Sequence, residues 1–161
     1  HNYIVVSAAL IVYGVLFIAI ERRNRSKTPR YNGISQISYQ IALAIGLFQA
    51  LSLVPGTSRS GSTILGAIII GVSRVTAAEF SFYLAVPVMF GASLIKLLKF
   101  GFSFTGAEAA VLAAGMITAS AVSLAAIKFL MGYVRRHDFS AFGWYRIVLG
   151  AAVLGYFLIF G

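Results

Sequence analysis

Residues 55–63 read Pro-Gly-Thr-Ser-Arg-Ser-Gly-Ser-Thr. The spacing surrounds one guanidinium, Arg59, with the hydroxyls of Thr57, Ser58, Ser60, Ser62 and Thr63. Gly56 and Gly61 let backbone approach a ligand closely. The Pro55-Gly56 pair ends one helix, so a second begins inside the stretch, bringing unpaired N–H groups and a positive dipole end. Together these groups make a nest for an oxyanion, with a planar fork able to hold phosphate through two hydrogen bonds. The flanking stretches 42–54 and 64–72 carry no charge, and an arginine at membrane depth costs several kcal/mol, so it marks a substrate path or a pair. The structural alternatives are a buried ion pair with Glu79, or satisfaction of carbonyls freed by the helix break. Anion binding outweighs both, because the neighbours also suit an anion. A Walker A loop is excluded, since GxxxxGK[ST] needs a lysine that is missing here.

Other polar residues carry less. Gln49 and Ser52 precede the break. Ser52 reads as an interhelical hydrogen bonder, while Gln49 stays open between that role and the site. Glu79 fits a helix start, where a carboxylate complements the dipole, better than a catalytic role. His137 lies in a basic loop on the side opposite the site. Trp144, Tyr145 and Arg146 read as an interfacial anchor, and Pro87 as a kink. Cysteine is absent, which excludes disulfides, thiolate metal sites and cysteine nucleophiles.

Of 161 residues, 60% are hydrophobic and 11% charged, with mean hydropathy +0.91, well short of the roughly 25% charge of soluble domains. The chain is a membrane protein. Its net charge of +9 resides in short polar breaks between apolar runs, where lysines and arginines of membrane proteins collect, rather than in a nucleic-acid patch. Apolar runs fall at 3–20, 41–54, 64–72, 75–98, 107–130 and 147–160. The run 3–20 is a span rather than a signal peptide, having no basic residues before it and a basic cluster after it. Runs 41–54 and 64–72 reach only about 21 Å and 14 Å against a hydrocarbon core of roughly 30 Å. They are expected to form a re-entrant hairpin over 41–72 with its anion-binding loop at 55–63. Irregular backbone at that depth implies a cavity. Ser62 with Gly66, and Ala67 with Gly71, are spaced for close helix packing. The basic stretch after the first span, with Arg22, Arg23, Arg25, Lys27 and Arg30, is expected inside the cell, as are Arg74, Arg135, Arg136 and His137; Lys96 and Lys99 fall outside, against the rule. The hairpin tip then points outward.

The runs IGLFQALSLVPGTSRSGSTI and GVSRVTAAEFSFYLAVPVMFGA resemble the second half of the bacterial undecaprenyl-diphosphate phosphatase, or bacitracin-resistance, family, and the resemblance covers essentially the whole chain. It implies an all-α integral membrane hydrolase that removes the terminal phosphate of the C55 isoprenoid diphosphate, recycling the lipid carrier for cell-wall synthesis and conferring bacitracin resistance. It also implies an inverted repeat in which residues 1–161 are one membrane domain, the C-terminal portion of a longer polypeptide in the bacterial inner membrane, with the site open to the outer face. Carried over, Ser58, Arg59 and Thr63 match the family's phosphate-binding loop as catalytic residues. Gly56, Thr57, Ser60, Gly61 and Gln49 are substrate-binding, Gln49 falling where the first-half repeat has a glutamate. A divalent cation, Mg²⁺ or Ca²⁺, is implied, its carboxylate ligands mostly in the first half.

The first half's glutamates and histidine are absent here, and the chain begins at His1 rather than Met, so a preceding segment is expected. These 161 residues alone are expected to be inactive, because hydrolysis needs a group that orients or deprotonates water. A serine nucleophile is the other course, but no base stands beside Ser58 or Ser60. The competing function is a lipid-phosphate transporter using the same anion site. A histidine-nucleophile lipid phosphatase is disfavoured, because neither His nor Asp follows Ser58-Arg59 at the required spacing. A scaffold role and a homodimer are left open.

Overall fold

A computed structural model describes residues 3–24, 26–101 and 105–160. Helix α1 spans Tyr3–Asn24, α2 Tyr39–Ala50, α3 Arg59–Ile70, α4 Arg74–Phe100, α5 Gly106–Arg136 and α6 Ser140–Phe160. Short 3-10 turns at Ile34–Gln36 and Leu51–Leu53 precede and follow α2. Among the described residues no strand forms, as expected of an all-α membrane protein. Four helices are long and apolar enough to cross a membrane, whereas α2 and α3 are shorter. At 12 residues each, these two measure about 18 Å.

Local chemistry sets the ends. Ser38, Ser58, Ser73 and Thr105 each cap a helix by accepting a backbone N–H three residues on. Thr105 and Glu108 complete a capping box in which the Glu108 carboxylate accepts the Thr105 N–H at 2.8 Å. Helix α3 stops at Gly71, whose φ of 105° is left-handed, so Gly71 serves as a C-cap rather than as the packing position its spacing suggests. Gly66 does pack: a Cβ there would collide with the Phe48 ring of α2. The long helices outrun their apolar stretches, because Arg22, Arg23, Arg135 and Arg136 continue the last turns. Arginine is a good helix former and complements the negative end of the dipole. Helix α4 continues through Pro87.

Helix α3 is the hub, buried from Gly61 to Ala67 and Ile68 except at Ile64, and it packs on α1, α2 and α4. Helices α1 and α6 form the closest pair. A Cβ at Gly14 would meet the Gly143 carbonyl oxygen at 2.7 Å, and one at Gly150 the Ser7 carbonyl oxygen at 3.0 Å. Small residues thus bring the two backbones together. Gly143→Val in the full polypeptide is expected to cost about 1–3 kcal/mol by overpacking, lowering the thermal unfolding midpoint in detergent. Gly155→Val, where a Cβ meets nothing within 4 Å, should leave that midpoint unchanged.

Lys27, Arg30, Arg74 and Arg135 collect at one end, around the C-terminus of α3. There Glu21, 2% exposed, forms an ion pair with Arg74 and accepts the Phe139 N–H at 3.4 Å. This one carboxylate ties α1, α4 and the α5–α6 connection together. The loop between α1 and α2 docks on the same end: the Arg30 N–H donates to the Gly71 carbonyl at 2.8 Å, and Ser73 N–H to Tyr31 at 2.8 Å. The basic stretch read from the sequence is therefore half built into the fold, although Arg25 lies outside the described residues. Helix α5 is exposed from Gly106 to Phe129 and packs chiefly on α4.

Candidate anion-binding site

The stretch 54–63 forms the apex between α2 and α3, fastened from both sides. Gly56 has φ 91°, and a Cβ there would lie 2.8 Å from Val6 Cα, so the apex presses on the backbone of α1. Thr57 Oγ1 donates to the carbonyls of Val54 at 2.7 Å and Leu51 at 3.0 Å, closing the end of α2 where the helix leaves carbonyls unpaired. Both residues are thus committed to holding the loop. Ser62, buried, donates to Tyr13 Oη at 3.0 Å, which joins α3 to α1.

At the apex Ser58 Oγ accepts the Gly61 N–H at 3.1 Å and lies 3.1 Å from Ser60 Oγ. Ser62 N–H begins the helical ladder by donating to the Ser58 carbonyl at 2.8 Å. The N–H groups of Arg59 and Ser60, first in the helix, have no backbone acceptor among the described residues. They are the free donors that a helix N-terminus turns toward an anion. Thr63, 1% exposed, donates to the Arg59 carbonyl at 2.9 Å and lies 3.2 Å from Gln49 Oε1. Gln49 and Thr63 therefore clasp α2 to α3 directly beneath Arg59. The half-buried Arg59 makes no ion pair among the described residues, and neither does Glu79. The structure does not form the pair weighed as the alternative role for Arg59.

The residue that sequence reasoning missed is Arg146. The expected interfacial anchor separates: Trp144 and Tyr145 are 58% and 66% exposed, but Arg146 turns inward. Its guanidinium lies 5.6 Å from the Phe17 ring centroid, with one nitrogen 3.2 Å from where a Gly61 Cβ would stand. Gly61 thus makes room for the cap Ser58 and for Arg146 together. The other nitrogen, Nη1, is buried without a hydrogen-bond partner. The signal lay in helical spacing: Arg146 shares with Gly143 and Gly150 the face that packs on α1. Arg59, the Arg146 guanidinium and two free N–H groups thus belong to one end of α3, and no carboxylate pairs with either arginine among the described residues. His137, stacked on Tyr133 at 4.5 Å, stands at the opposite, basic end.

A divalent cation is not matched by these donors. No group of three or more His, Cys, Asp or Glu that could hold a metal occurs among the described residues, and the apex itself offers hydroxyls and cations.

The family model described as Bacitracin resistance protein BacA matches residues 1–152. The undecaprenyl-diphosphatase of Acetivibrio thermocellus is 63% identical over 98% of the chain and 58% of its own length. Undecaprenyl-diphosphatase 1 of Clostridium acetobutylicum is 61% identical over 99% of the chain and 58% of its length. The undecaprenyl-diphosphatase of Enterococcus faecalis is 62% identical over 96% of the chain and 56% of its length. The chain spans rather more than half of each of these relatives. With a family model covering nearly all its residues, the chain belongs to the bacitracin resistance protein BacA family.

Proposed function

We propose that the chain is the phosphate-gripping part of a membrane phosphatase that hydrolyses undecaprenyl diphosphate to undecaprenyl phosphate and phosphate, recycling the carrier lipid for wall synthesis and giving bacitracin resistance. The carrying observation is that Arg59, Arg146 and the free N–H groups of Arg59 and Ser60 share one helix end, with no carboxylate paired to either arginine among the described residues. Such an end is electrostatically incomplete until an anion with several oxygens occupies it. The relatives at about 60% identity named undecaprenyl-diphosphatase supply the substrate class.

In this reading the two guanidiniums and the helix end bind the diphosphate and take up charge as it shifts onto the departing phosphate oxygens. Thr63 and Gln49 hold the Arg59 carbonyl and the two half-helices in register. Ser58 is committed as cap, and no carboxylate or imidazole bonds to it or to Ser60 among the described residues, which favours water over serine as nucleophile. The group that activates this water comes from the segment that the relatives possess and the chain does not include. A divalent cation belongs to the reading on the same terms: its carboxylate ligands come from that segment, and bound there it would supply further charge neutralisation of the diphosphate.

A re-entrant course for 41–72 in the bacterial inner membrane, apex toward the outer face, accords with two features. Gly56 stands beside Val6 and Ser62 beside Tyr13, so the apex lies alongside the apolar run of α1. The basic residues of the α1–α2 loop lie at the other end with Arg74, Arg135 and Arg136, as the positive-inside rule asks, with Lys96 and Lys99 the exception.

The test is phosphate release from isoprenoid diphosphate in detergent by the full-length polypeptide and by residues 1–161 alone. The full polypeptide should release phosphate and the fragment should not. Binding of the diphosphate without release by the full polypeptide would instead favour a lipid-phosphate transporter.

A further inference from the structure

At the C-terminal end of α3, the far end from the apex, a cavity of about 540 Å³ opens between the α1–α2 loop, the α3–α4 junction and the end of α5. Its cations come from three segments: Lys27 and Arg30 from the loop, Arg74 from the first turn of α4, and Arg135 from the last turn of α5. Among the described residues only Arg74 has a carboxylate partner, the buried Glu21. Capping of α3 does not account for the others, because the Gly71 carbonyl already accepts the N–H groups of Arg30 at 2.8 Å and Tyr31 at 3.3 Å. Arg30 is also held in place, its stem 3.5 Å from where a Gly71 Cβ would stand.

Arg135 lines a second cavity as well, of about 630 Å³, between α4 and α5. Its walls are mainly apolar, with Phe82, Val86, Met89 and Ile127, and Glu79 is the acid on them. A basic pocket with excess positive charge therefore stands beside an apolar groove, with Arg135 on the wall of both. That sequence of surfaces complements a phosphate on an acyl chain: guanidiniums grip the phosphate by paired hydrogen bonds, and the groove takes hydrocarbon.

We infer that these adjoining cavities bind an anionic glycerophospholipid, its phosphate among Lys27, Arg30 and Arg135 and one acyl chain between α4 and α5. The site is separate from the apex, with the 12 residues of α3 between them, about 18 Å along the helix. It does not depend on the phosphatase reading.

Native mass spectrometry of the full-length polypeptide, carrying Arg59→Ala to weaken the apex, tests the assignment. Phosphatidylglycerol and phosphatidylcholine of identical chains are offered in equal amounts. The phosphatidylglycerol adduct is expected to dominate by about tenfold, given the attraction of each basic residue for anionic lipid. Arg30→Gln with Arg135→Gln should bring the two lipids to parity, while Lys128→Gln, away from both cavities, should not. Equal occupancy in the parent overturns the inference, as it would if another part of the polypeptide filled the groove. So does an unchanged preference in the double variant, or displacement of the lipid by equimolar glycerol phosphate, which would mark a site for free phosphate. Should the double variant fail to fold, a phosphatidylglycerol with a photoreactive acyl chain should label Val86 or Ile127 in the parent. Labelling confined to other helices overturns it.

Discussion

Arg59→Ala in the full-length polypeptide is expected to lower phosphate release from isoprenoid diphosphate by roughly 100- to 1,000-fold, the range seen when one preorganised charge-stabilising donor is removed from a water-poor site. The side chain makes no ion pair among the described residues, so its loss breaks no structural pair. The backbone N–H that faces the anion survives, as do the cap at Ser58 and the Thr63 bond to the residue-59 carbonyl. The thermal unfolding midpoint should therefore stay near that of the parent. Arg59→Lys should recover only part of the rate, because an ammonium keeps the charge but not the planar fork that meets two phosphate oxygens. Parent-level activity in Arg59→Ala would sink the proposed role of the apex.

The second large effect is assigned to Arg146, and it separates activity from stability in opposite directions. Its Nη1 is buried without a partner, a condition that costs about 1–3 kcal/mol for an unsatisfied polar group. The stack on Phe17 returns about 0.5–2 kcal/mol. Arg146→Met fills similar volume with no charge, so phosphate release should fall roughly 100-fold while the unfolding midpoint stays level or rises. A purely structural arginine would give the converse, with lost stability and kept activity. Parallel assays of phosphate release and thermal unfolding on the same preparation decide between them.

The helices were legible because hydropathy marks them: every apolar run became a helix, and the two too short to span became α2 and α3. Their polar ends were not legible by the same measure, since Arg135 and Arg136 lower hydropathy while favouring the helix that carries them. Gly66 was readable as a packing position because Ser62 stands one turn before it. Gly71 has similar spacing but caps the helix, a choice decided by Ser73 two residues later, which starts α4. At the site, Arg59 declared itself by standing charged among uncharged residues. Arg146 did not, because an arginine beside Trp144 and Tyr145 has the composition of a membrane interface. Only the docking of α6 on α1 turns it toward Gly61. Glu21 was hidden for a similar reason: its partners, Arg74 and Phe139, come from distant parts of the chain, and a carboxylate in a run of arginines looks solvated.

The glycine-lined contact between α1 and α6 also sets an order of events during biosynthesis. Gly14 and Gly143 are separated by about 130 residues, so at about 5–20 residues per second α1 waits on the order of ten seconds in the bilayer before its partner is made. During that interval the apex can fold against α1 through Gly56 and Ser62, yet it holds only one of its two guanidiniums. The second arrives only with α6, so in the proposed reading the nest has its full set of cations only once the segment carrying Arg146 has joined α1.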